Sequence, residues 1–203
     1  ELQQNHIEPI IRLVPPAVAS YHITLHTLSF YNGSVIKFGH YSGSSSEAEY
    51  QGQEYDWIFL DEATQFTERE FRFLGSLLRG VNDFPKRFYL TCNPGGIGHG
   101  WVKRLFIDRH YVTDRTNPEE NENPADYSFI PATVEDNVYL MKASPSYVQM
   151  LSGLPESIRR AHRYGDWNAL AGTYFPEFDA KRHVVRPFQI PGHWMRYRAF
   201  DYG

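Results

Sequence analysis

The sequence predicts an α/β fold built on a mostly parallel sheet. Two short apolar runs, WIFL at 57–60 and FYL at 88–90, each stop abruptly at polar residues, as strands buried on both faces of a parallel sheet do. A stretch of helical periodicity lies between them, and strand, helix, strand in that order implies a right-handed parallel crossover. With 203 residues, 41% of them hydrophobic, the chain buries a core sufficient for one domain or slightly more.

Taken in order, the first element is a hairpin from Thr24 to Tyr41. Its runs LHTLSFY and SVIKFGHY are hinged at Asn32-Gly33, the dipeptide that best tolerates the positive φ angles of a tight turn. GSSSEAEYQGQ, from Gly43 to Gln53, has no apolar periodicity and reads as a surface loop. The run YDWIFLDEA, 55–63, is the first buried strand, with both carboxylates of Asp61 and Glu62 emerging at its C-terminal edge. Thr67 followed by Glu70 makes a capping box, and Phe71, Leu74, Leu77 and Leu78 recur at helical spacing up to Gly80, a natural stop. RFYLTCN, 87–93, is the second strand and leads into the glycine-rich turn PGGIGHG.

Beyond it, Asp114 to Ala125 is acidic and rich in Asn and Pro, an exposed insertion. YSFIPAT predicts another strand, Ser144 to Leu151 a short helix, and Pro155 to Tyr164 a helix with proline in its first turn. Asn168 to Ile190 has little helical periodicity and is followed by the short run RYRAFDYG, which reads as a linker and then the first strand of a further domain. No internal repeat is visible.

Charge and composition narrow the function. Twenty basic against twenty-four acidic residues give a net charge of −4, so no global basic field marks a nucleic-acid partner and any DNA contact is local. Cys92 is the only cysteine, which forbids an intramolecular disulfide and favours a reducing compartment. No apolar run approaches the roughly 18 residues of a membrane span, and the N-terminus has no signal pattern. The nine histidines show no zinc-like spacing.

The most informative constellation is the acidic pair at the end of the first strand. ATP hydrolysis needs a hard oxygen ligand near Mg²⁺ and a base that orients water. Asp61 would face the metal while Glu62, one residue on, reaches the water, the Walker B arrangement. By itself the pair reads equally as a strand end re-entering solvent. At the end of the neighbouring strand, the Asn93 amide or the Thr91 hydroxyl can hydrogen-bond the water or phosphate, with an Asn-Pro turn as the local alternative. Gly95, Gly96, Gly98 and Gly100 are not followed by Lys-Ser/Thr, so they read as a flexible connection rather than a phosphate loop. Arg79, at the end of the predicted helix, is either a candidate arginine finger toward a neighbouring subunit or a solvated residue favoured by the helix dipole.

NGSVIKFGHYSG, YDWIFLDEATQF, LLRG, LTCNPGGIGHGWVKRLF, TVEDNVYL, RYGDWNALAGTYFPEF and AFDYG follow one another over nearly the whole chain. In that order they resemble the large terminase subunit of tailed phages, the ATP-driven motor that packs DNA into an empty capsid. The resemblance implies a P-loop NTPase (RecA-like) core over 1–168, incomplete at its N-terminus because no Gly-x4-Gly-Lys-Ser/Thr is present. It implies a linker over 169–195 and, over 196–203, the truncated start of an RNase H-like nuclease domain.

It also implies roles: Asp61 as the ligand of Mg²⁺ with ATP, Glu62 as the catalytic carboxylate that orients the attacking water, and Thr91, Cys92, Asn93 and Pro94 as a coupling motif in which Asn93 senses the γ-phosphate. Asp201 would be the first of several nuclease metal ligands, since two-metal cleavage needs acids from several strands. The implied activities are translocation of double-stranded DNA and cutting of concatemers. The implied partners are a portal protein, a small terminase subunit and further copies in a ring on the procapsid, in the cytoplasm of an infected bacterium and outside the mature virion. The fragment alone is expected to be inactive. Two rival readings remain: a DNA helicase or repair-type ATPase, not expected to carry GDWNALAGTYFPEF, and a non-catalytic prophage remnant in which DEA is only a strand end.

Overall fold

A computed structural model describes residues 2–114, 116–117, 120–170, 184–195 and 197. The chain forms two compact units, residues 1–111 and 112–203.

In the first unit a π-helix, Leu2–Ile7, runs without a break into α1 (Glu8–Leu13), whose first turn carries Pro9. Ile7 is fully buried and packs with Ala19, Leu28 and Phe38 against an antiparallel sheet of β1 (Ala19–His22), β2 (Thr27–Phe30) and β3 (Val35–Lys37). The β2–β3 connection is the predicted hairpin. Gly33 takes the positive φ, +92°, while the Asn32 side chain accepts from the Ser34 amide at 3.0 Å. The stretch from Gly43 to Gln53 is a correction: it contains a helix, α2 (Ser44–Tyr50). Buried Ser46 accepts from the Ser42 amide at 2.8 Å, and Tyr50 stacks on Tyr41. A single aromatic anchor leaves no periodicity to read.

The predicted parallel pair is present. β4 (Trp57–Leu60) and β5 (Arg87–Leu90) pair from Trp57 opposite Arg87 to Leu60 opposite Leu90. Between them α3 (Glu68–Gly75) opens with the predicted capping box of Thr67 and Glu70. It ends short of Gly80: the chain tightens into turns in which the Leu77 and Leu78 amides donate to the Leu74 and Gly75 carbonyls, and the Leu77 carbonyl accepts from the Tyr55 amide at 2.9 Å, which ties this segment to the entry of β4. After β5 come α4 (His99–Val102) and a π-helix, Lys103–Ile107.

One face of this small sheet is closed by aromatic packing. Phe71 of α3 stacks on Phe88 at 5.2 Å and on Trp101 of α4 at 4.5 Å. The other face corrects the expectation of strands buried on both sides: Trp57, Phe59 and Tyr89 are 52%, 69% and 47% exposed. An apolar run records a requirement for burial and says nothing of which element meets it.

In the second unit the described part of Asp114 to Ala125 is largely irregular, with 3₁₀ geometry at Glu120 and in a turn at Pro124–Asp126. The expected exposure is corrected at Glu122, which is buried and accepts from the Val112 amide at 2.8 Å. The strand predicted from YSFIPAT is absent; among the described residues 127–133 has no ladder partner. Pro131 lacks a donor, and Phe129 instead meets the Trp167 ring edge-on. Helices α5 (Val138–Ala143), α6 (Ser146–Ser152) and α7 (Glu156–Tyr164) follow. The last two match the predicted pair, and α7 is closed by Gly165 at φ +61°. Arg163 joins this unit internally, donating to Glu135 at 2.9 Å and to the Ser152 hydroxyl at 2.7 Å. Asp201, most of the predicted strand over 196–203 and residues 171–183 lie outside the described residues.

Candidate functional site at the edge of the parallel strands

Because β4 and β5 are parallel and in register, the residues that follow them emerge at one edge. Asp61 and Thr91 are the next positions after the Leu60–Leu90 pair. The Thr91 hydroxyl donates to Asp61 Oδ1 in a short hydrogen bond, and the Glu62 amide donates to the same oxygen at 3.1 Å. His6 Nε2, from the N-terminal π-helix, lies 3.4 Å from Asp61 Oδ2. Nothing in the spacing of the histidines distinguishes His6, and only the fold brings it here.

Glu62 adopts φ +52°, ψ +47°, the left-handed region that residues other than glycine seldom occupy. The twist ends the strand and leaves the carboxylate exposed, without a hydrogen-bond or ion-pair partner among the described residues. Burial, and then the Glu62 carboxylate, push the Cys92 thiol up to about 11, so Cys92 stays protonated beside Glu62 at neutral pH. The Asn93 side chain is exposed at the same edge, while its carbonyl accepts from the Thr64 hydroxyl at 3.0 Å.

The glycine-rich turn is not a loose connection, which corrects the sequence reading. A Cβ on Gly96 would stand 2.4 Å from the Thr64 carbonyl oxygen, and one on Gly98 2.3 Å from that of Phe66. Both backbones approach so closely that only glycine fits. Arg79 is placed elsewhere. Its Nε faces Glu54 at 3.8 Å, beside the entry of β4, whereas Asp61 lies at the exit.

Hard oxygen donors suit Mg²⁺, which takes one or two carboxylates and completes its shell with water and phosphate. Asp61, half exposed, with Thr91 beside it, fits that requirement. Among the described residues no group of three or more His, Cys, Asp or Glu gathers to hold a metal without such help.

The fold and site together define a mixed α/β protein with a small parallel sheet and an acidic and polar carboxyl edge, the place where open α/β sheets bind ligands. The family described as "Terminase large subunit, T4likevirus-type, N-terminal" matches residues 10–182. The large terminase of a thermophilic bacteriophage, in complex with ADP, superposes with TM-score 0.58 at 22% identity, over 94% of this chain and 44% of that one. The same phage terminase in complex with ATP-gamma-S gives 0.56 at 23%, over 94% and 43%. No curated protein sequence matches. The chain belongs to the terminase large subunit family, and it spans less than half the length of those solved terminases. Family membership sets aside the helicase and repair-ATPase reading.

Proposed function

We propose that this chain serves in an ATP-driven motor that translocates double-stranded DNA into a procapsid, with the carboxyl edge of β4 and β5 as its hydrolytic site. The observation that carries the proposal is the meeting of Asp61, Thr91 and the freely exposed Glu62 at the exit of two parallel strands. The thermophilic-phage terminases, solved in complex with ADP and with ATP-gamma-S, support nucleotide binding.

In this reading Thr91 and the Glu62 amide fix one oxygen of Asp61, and the other, which faces His6 Nε2 at 3.4 Å, would exchange the imidazole for a Mg²⁺ that arrives with ATP. Bound there, the ion would neutralise phosphate charge. Glu62, free of other partners, orients the attacking water and takes up its proton. The Asn93 carboxamide reads the γ-phosphate and passes nucleotide state to the moving parts. Arg79, at the opposite end of β4, can act only on a neighbouring subunit's nucleotide.

The uncovered face of Trp57, Phe59 and Tyr89, together with the strand edges, is where the remainder of a P-loop (RecA-like) sheet would dock, bringing the phosphate loop. Without that loop the 203 residues should hydrolyse ATP no faster than background. Asp201 would open an RNase H-like nuclease domain that cuts concatemers. A portal protein, a small terminase subunit and sister copies in a ring would be the partners.

Asp61→Asn in a polypeptide carrying this chain within a complete terminase subunit tests the assignment. The affinity for ATP-gamma-S should lose its dependence on Mg²⁺. An Asn variant whose affinity still rises with Mg²⁺ as in the parent would remove Asp61 from the site.

A further inference from the structure

The two segments that leave β4 and β5 are laced together rung by rung. The Ala63 amide donates to the Thr91 carbonyl at 2.9 Å, and the Thr64 hydroxyl to the Asn93 carbonyl at 3.0 Å. The Gly98 amide returns a bond to the Thr64 carbonyl at 2.8 Å, and the Trp101 indole donates to the Phe66 carbonyl at 2.8 Å. Thr64 sits at the centre of this lacing. It is 2% exposed, and it is bonded through both its side chain and its main chain to the segment that carries Asn93. Gly96, at φ +74°, and Gly98 close over it so tightly that an added methyl would collide with carbonyl oxygens.

We propose that Thr64 is the positioning residue that couples Asn93 to Glu62. The inference rests on the hydrolytic reading above and names the part that makes the two strand exits respond together. Glu62 lies between the rigid strand β4 and the laced residues 63–66, and its left-handed backbone gives that junction little freedom. A displacement of the Asn93 main chain is therefore passed through the Thr64 hydroxyl to the peptide beside Glu62, rather than absorbed by slack in a loop. A buried hydroxyl bonded to a main-chain carbonyl suits this task, since removing the donor strands the acceptor. Threonine also has an almost isosteric partner, valine, that removes the bond while leaving the shape.

The test uses the complete subunit containing this chain and compares Thr64→Val, Thr64→Ser and, as a stability control in α3 away from the lacing, Leu74→Ala. Thr64→Val should lower kcat for ATP about tenfold or more while KM and ATP-gamma-S affinity stay within about twofold, the pattern of an interaction realised in the reacting complex. Thr64→Ser should restore most of the loss, and Leu74→Ala should lower the melting temperature without reproducing it. Gly98→Ala, which forces the same two segments apart, should give the same kcat-specific loss and replaces Thr64→Val if that variant does not fold. An unchanged kcat in Thr64→Val, equal impairment in Thr64→Ser, or the same loss in Leu74→Ala would overturn the inference. Glu62→Gln in the same series separates the two levels. If it loses turnover while Thr64→Val does not, only the coupling role fails; if it keeps turnover, the hydrolytic reading falls and the coupling role falls with it.

Discussion

The two faces of the β4–β5 pair are made of the same kind of residue and end in opposite situations. On one, Phe88 lies under Phe71, and Phe71 under Trp101, in a continuous stack. On the other, Phe59 and Tyr89 stack at 5.0 Å with Trp57 edge-on to both, and all three rings face outward. Contiguous exposed aromatics on a monomer's surface mark an interface, and parallel sheets are ordinarily covered on both sides. The closed face, like the separate core of Ile7, Ala19, Leu28 and Phe38, stabilises the first unit, and the open face carries a requirement for a partner element. The strand exits, where the chemistry is proposed, lie on the border between the two.

This contrast can be broken by substitution. Phe71→Ala should cost about 3–5 kcal/mol in a urea or thermal melt, because it empties the centre of the stack. Gly98→Ala should cost about 1–3 kcal/mol by forcing the glycine turn away from the Phe66 carbonyl. Thr67→Ala should cost about 1 kcal/mol by removing the cap of α3. Phe59→Ser on the open face should change the stability of the 203-residue chain by no more than about 0.5 kcal/mol, as an exposed position does. Equal costs at Phe71 and Phe59 would erase the distinction.

The effect of pH is smaller and more diffuse. Lys86 and Asn82 hold the Asp56 carboxyl below its ordinary value, and the Thr133 amide and hydroxyl do the same for Asp136. At Asp166 burial opposes ionisation, but the Asn168 amide and the Arg160 guanidinium outweigh it and the carboxyl again lies low. A pKa depressed in the folded state means that the unfolded chain binds protons more readily. These contributions are thus complete above the ordinary value of 3.8 and are lost as pH falls through the depressed values. An acid titration should show their loss only below about pH 4. Their disappearance between about pH 7 and 5, read with Asp→Asn variants, would contradict the assignment.

What could be read in the sequence was whatever leaves a local chemical signature. The capping box at Thr67 and Glu70, the turn glycine Gly33, the apolar run of each parallel strand and the acidic exit at Asp61 all depend on residues a few positions apart. What could not be read depends on distant neighbours. The strand expected at 127–133 needed a ladder partner that the fold does not supply. β1, ASYH, has no run of large apolar residues to announce a strand, and α2 is held by a buried serine and one tyrosine stack. His6 reaches Asp61 only because its neighbour Ile7 is locked into a core far upstream of the strand exit. The glycines of PGGIGHG look like slack in sequence because their lack of side chains suits a hinge and a close approach equally well. Thr64 and Phe66, lying against them, decide for the close approach.

The most direct test of the hydrolytic edge is single-turnover ATP hydrolysis by the complete subunit carrying Glu62→Gln, at saturating nucleotide with binding measured in parallel. Loss of the water-orienting carboxylate should slow the chemical step about 10²–10⁴-fold with nucleotide affinity preserved. A rate within about twofold of the parent at full occupancy would show that the exit of β4 and β5 is not where ATP is cleaved.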